Sequence, residues 1–123
     1  MIQPVRLQLS RRKGFDLQAL SHATNGLPAI NCARPGKWGN PFRVGAPGFE
    51  FDWRAVNAFE KLATGQGYPR LREDLPPNWK NPYIGRAWIE ELRGSNLACF
   101  CAPGACCHVD VLLRLANGPA TVI

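Results

Sequence analysis

The chain has 123 residues, 46% hydrophobic and 20% charged, the balance of an ordinary globular protein that can bury its own core. Its apolar runs are only a few residues long, which excludes a membrane-spanning helix, and the start, MIQPVRLQLSRRKG, lacks the apolar stretch of an export signal. The net charge of +6 falls wholly in residues 1–45, where Arg6, Arg11, Arg12, Lys13, Arg34, Lys37 and Arg43 stand against Asp16 alone.

That asymmetry predicts one positive face and an anionic partner, a nucleotide or a nucleic acid, with no membrane involved. The length predicts one domain over residues 1–123. Five cysteines without an export signal argue against a disulfide framework. The thiols are expected to be reduced, in the cytoplasm, and free to pack, to bind metal or to react.

In chain order, Val5, Leu7 and Leu9 alternate with polar residues and predict a half-buried strand. SRRKGF breaks it, with Gly14 suited to a turn. Residues 16–28 have room for a short helix ending near Asn25-Gly26. AINCA at 29–33 predicts a second strand. The fifteen residues from Arg34 to Gly48 contain three prolines and four glycines and predict a long loop, of a length that is usually functional in a small domain. Asp52 is the expected N-cap of a helix closed by Gly65, with Val56, Phe59, Leu62 and Ala63 on its buried face. Residues 65–82 predict a polar, proline-rich surface excursion. Asn81-Pro82 predicts a cap and first turn for a helix reaching Arg93. Asn96 to Cys101 predicts a buried strand, APGA a tight turn, and Val109, Leu112, Leu113 and Ala116 the apolar stripe of a final helix ended by Gly118-Pro119. Trp53 and Trp88 are expected to be packing residues, and Cys32 a core or loop residue. The sum is an α/β domain, about three or four short strands covered by about three helices. Whether the sheet is parallel or mixed stays open.

Four of the five cysteines and one of the two histidines lie in the ten residues from Cys99 to His108. Cys99 and Cys101, two apart on a strand, share a face. Cys106, Cys107 and His108 follow at the expected start of the last helix. Three readings are open. Cys99, Cys101, Cys107 and His108 are a donor set suited to zinc, with an iron–sulfur centre the weaker alternative. In the second reading a cysteine at the helix N-terminus is a reactive thiolate, Cys101 or Cys107, with His108 or Asp110 handling protons. In the third, these are small apolar side chains filling a tight core.

ARPGKWGNPF sets Arg34, Lys37, Trp38 and Asn40 on a backbone of unusual conformation. Trp38 offers a stacking face, Arg34 a phosphate fork and Asn40 an amide able to read a base edge. The alternative is a loop pinned to the core by Trp38 and Phe42, with Asn40 capping its own turn. Arg11, Arg12 and Lys13 are likewise either phosphate contacts or a solvated basic turn.

Taken together, RRKGF, ATNGLPA, ARPGKWGNPF and LRGSNLACFCAPGACCHVDVLLRLAN resemble the bacterial and phage family termed domain of unknown function 4326. Its last motif usually reads C-W-C, a short turn, then C-H-x-D-V-L. Cys99, Cys101, Cys107, His108 and Asp110 match it, with Phe100 in place of the tryptophan. Cys106 falls outside the pattern and is a poor candidate for an essential role. The resemblance implies no reaction. It does imply that the Arg34–Phe42 loop faces the Cys101–Asp110 turn in one site. The expected function is binding of, or chemistry on, a nucleotide-like or phosphorylated ligand; the alternative is a nucleic-acid-binding module stapled by structural zinc.

Overall fold

The computed structural model describes residues 2–66, 75–76 and 79–122. Part of the expected excursion at 65–82 therefore lies outside the described residues. Three strands, β1 (Arg6–Gln8), β2 (Ala29–Asn31) and β3 (Asn96–Cys99), form one parallel sheet in the order β1-β3-β2. Leu7 pairs with Ala98 and Ile30 with Leu97. Among the described residues the helices are α1 (Leu17–Asn25), α2 (Asp52–Thr64), α3 (Ala87–Leu92) and α4 (His108–Val122). The fold is α/β, as expected, and all of its strand pairing is parallel.

β3 is the central strand and is buried throughout, which is why NLAC carries no charge. Alternation along it sends Leu97 and Cys99 to one face and Ala98 to the other. Ala98 packs with Leu7, Leu9 and Ala29, and Phe15 and Leu17 close that smaller core. Leu97 and Cys99 join the larger core of α2, α3 and α4, with Phe59, Leu62, Trp88, Leu92, Val109 and Leu112.

The ambiguous stretch at 16–28 is a helix because both ends are signalled locally. Asp16 Oδ1 accepts the Ala19 N–H at 3.1 Å, and Gly26 takes the left-handed conformation at φ 80° and donates to His22 O. Asn96, fully buried, joins this helix to the sheet. Its amide nitrogen donates to Ser21 Oγ and Asn25 Oδ1, both at 2.7 Å, and its oxygen accepts the Val5 N–H at 2.9 Å.

Several expectations are corrected. Asp52 is the first residue of α2 rather than its N-cap, which is Phe51. The helix expected from Pro82 to Arg93 is only α3, because Asn81 Oδ1 accepts the Tyr83 N–H and closes a local turn instead. The last helix continues to Val122 through Gly118-Pro119; a proline removes one helical hydrogen bond without forbidding the backbone to go on. Trp53 is not a packing residue. It is 48% exposed, stacked on the exposed Phe51, with the Arg54 guanidinium over its outer side. Trp88 is buried as expected. Among the described residues no helix is long and apolar enough to cross a membrane.

Candidate functional site

Parallel strands send all their carboxyl ends to one edge of the sheet, and that edge is where the loops leave. Here a cleft of about 320 Å³ lies at that edge. Arg11 follows β1, Ala33 and Arg34 follow β2, and Phe100 and Cys101 follow β3; all line it. The opposite wall is made by two helix starts, Asp52, Ala55 and Val56 of α2 and Cys106, Cys107 and His108 at α4. Unpaired N–H groups at helix starts favour anions. The Cys106 N–H, just before α4, is taken by Asp52, donating to its Oδ2 at 3.3 Å.

Cys99, Cys101 and Cys107 all line the cleft, and their three sulfurs lie within 4.8 Å of one another. Such a cluster can hold a metal ion. Cys99 and Cys107 are the tightest pair, Sγ to Sγ 3.0 Å, and both are buried. Donation from Cys107 lowers the Cys99 pKa, while the same bond together with burial pushes Cys107 up to about 12. Burial and the neighbouring Cys107 also raise Cys101. Cys107 stands at the start of α4, where it and Cys99 share a hydrogen bond in which either sulfur can donate. Cys101 is half-buried and Cys106 exposed, so these two are the thiols a solute reaches.

His108 is buried and fixed. Its Nε2 is 2.9 Å from Cys32 O and 3.0 Å from Trp38 O, and its ring meets Phe59 edge-on at 5.1 Å. Carbonyls only accept, so Nε2 carries the proton and Nδ1 presents a lone pair toward Cys107 Sγ, 3.8 Å away. His108 is not part of the sulfur group, which is Cys99, Cys101 and Cys107. Asp110 is corrected as a proton carrier for the thiols. It does not line the cleft, and its Oδ2 pairs with Arg6 Nη1 at 3.0 Å.

The loop residues divide. Arg34 lines the cleft, with Nη1 donating to Asn40 O at 3.1 Å. Asn40 also lines it, but its amide is committed, Nδ2 to Ala55 O and Oδ1 from the Phe42 N–H. It pins the loop to α2 rather than reading a base. Trp38 is corrected as a stacking platform: it is 7% exposed, packed on Tyr83 and covered by Lys37 Nζ at 4.5 Å. Lys37 pairs with Glu91 at 3.4 Å and is not on the cleft. Arg12 and Lys13 are exposed and also off the cleft, whereas Arg11 is on it, its guanidinium 4.1 Å above the Phe100 ring.

Arg6 is the residue that sequence reasoning missed. Its guanidinium donates to Ala102 O and Ala105 O, both at 3.0 Å, as well as to Asp110, and so holds the turn between Cys101 and Cys106. The signal was available, an arginine at a strand position facing the helices, but its partners are about a hundred residues away.

Fold and cleft together define a small parallel α/β domain with a thiol cluster at the carboxyl edge of its sheet. A family model for a domain of unknown function, DUF4326, matches residues 18–118, and the chain belongs to that family. No curated protein and no solved structure matches it.

Proposed function

We propose that this domain binds a small anionic ligand, nucleotide-like or otherwise phosphorylated, in the cleft at the carboxyl edge of its sheet. One observation carries the reading: the cleft joins the ends of all three parallel strands to the starts of α2 and α4, with Arg11 and Arg34 on its wall. Phe100 beneath Arg11 is 38% exposed and supplies the flat surface that the buried Trp38 does not.

Titration of the protein with inorganic phosphate, pyrophosphate and nucleoside monophosphates, followed by amide chemical shifts, tests this. Saturable shifts are expected at Phe100–Cys107 and at the start of α2. Arg11→Ala should weaken binding about tenfold, the loss of one charge-assisted contact. Arg12→Ala, off the cleft, should leave it within about twofold. No saturable binding of any of these anions, or equal effects of the two variants, overturns the reading.

A second reading, a nucleic-acid-binding module, draws on a different observation. The exposed Phe51 and Trp53 rings stack at 6.2 Å with Arg54 against them, and Arg12, Lys13 and Arg43 are exposed outside the cleft. That surface would bind single strands with affinity falling steeply in salt.

A further inference from the structure

The thiol cluster is the feature that ligand binding leaves unexplained. Three cysteines from a strand end and a helix start converge on one point, although Cys99 and Cys107 are eight residues apart. Packing alone does not require sulfur at all three places, since Cys101 is only half-buried. Arg34 lines the cleft with the three cysteines, and Arg6 binds the turn that joins Cys101 to Cys106, so two guanidiniums supply positive charge beside the cluster.

We infer that Cys99, Cys101 and Cys107 bind one zinc ion as three thiolates, with the fourth coordination position opening into the cleft. Zinc bonds thiolate sulfur at about 2.3 Å, which sets sulfurs of a tetrahedral site about 3.8 Å apart. The observed spacing brackets that value, 3.0 Å for the tightest pair and no more than 4.8 Å for any. His108 is not the fourth ligand. Its Nε2 is held by the carbonyls of Cys32 and Trp38, and the group of donor atoms close enough to share an ion is Cys99, Cys101 and Cys107 without it. Three thiolates and one divalent zinc leave a net charge of −1, opposite in sign to Arg34 and Arg6. All three cysteines line the cleft, so a water or an anionic oxygen or nitrogen donor entering the cleft reaches the remaining position. Soft thiolates select zinc over magnesium or calcium.

Metal uptake needs no cleft ligand, so this inference fails or stands independently of the anion reading. The test is a titration of the reduced, metal-free full chain with cobalt(II) under anaerobic conditions, followed by back-titration with zinc. One equivalent is expected, with intense sulfur-to-cobalt absorption in the near ultraviolet and visible bands of a tetrahedral ion, both abolished by zinc. Azide should shift the visible bands, because the fourth position exchanges. Cys101→Ser should lower cobalt affinity by about tenfold or more; Cys101 is the variant of choice because it is the least buried of the three. Cys106→Ser and His108→Gln should retain one equivalent with the sulfur absorption intact. Failure to develop the sulfur absorption overturns the inference. So do visible bands indifferent to azide, loss of binding in His108→Gln comparable to that in Cys101→Ser, or purification of the protein with iron and sulfide in place of zinc.

Discussion

Gly39 sits against the backbone of Arg34. A Cβ there would lie 2.8 Å from Arg34 Cγ and 2.9 Å from both Arg34 Cα and N, inside any real contact. Gly39 therefore serves a close approach within the loop. Gly39→Ala should destabilise the fold by about 1–3 kcal/mol, the range for overpacking a tight site. Urea denaturation measures this, and a change below about 0.5 kcal/mol would show that the loop yields freely. Trp38 and Asn40 follow the same logic. The sequence shows an aromatic ring and an amide among prolines, equipment as fit for a pocket as for a pinned loop. The buried ring and the two hydrogen bonds of Asn40 decide for the loop.

At the scale of the element, the turn between β3 and α4 sets where the sulfurs stand. Arg6 reaches across from β1 to hold it, with its side chain only 13% exposed. Arg6→Met keeps much of the apolar stem and removes three hydrogen bonds. We expect a loss of about 1–3 kcal/mol, because Ala102 O and Ala105 O lose a charged donor. Asp110→Asn should cost less than about 1 kcal/mol, since that carboxylate is 58% exposed. Amide hydrogen exchange should speed up at Ala105, whose N–H bonds Ala102 O within this turn, in Arg6→Met but not in Asp110→Asn. Equal exchange in both variants would show that the turn holds itself. The helices were legible to different degrees for a related reason. α1 and α2 have glycine stops, and α2 has a periodic apolar face, whereas α3 is six residues long and its start is contested by the Asn81 turn.

For the whole molecule, the large core encloses two acidic hydrogens outside the thiol cluster that water would release at high pH. Burial pushes the Cys32 thiol from its ordinary 9.0 to about 12, and burial likewise raises the Tyr83 hydroxyl, which donates to Trp38 O at 3.1 Å. The folded protein keeps these protons while the unfolded chain loses them, so the folded state binds more protons on the alkaline side. Their contribution to stability is complete below about pH 9 and declines as pH rises toward 12. The urea midpoint should fall steadily from pH 9 to 10.5, and Cys32→Ala should flatten the first part of that fall. A midpoint constant across this range would mean that the core admits water at both groups.

The α/β class, the places of the three strands, the end of the first helix near Asn25-Gly26 and the family are legible in the chain, because periodicity, turn residues and motif spacing are local. The sequence also singled out Cys99, Cys101 and Cys107, through strand alternation and the nearness of a helix start. Folding in space is what makes the described strands parallel, gives Asp110 to Arg6, and gives His108 to the carbonyls of Cys32 and Trp38. Each of these joins residues about seventy or more positions apart. A side chain's chemistry is set by whichever partner reaches it first in space, and distance along the chain carries no record of that.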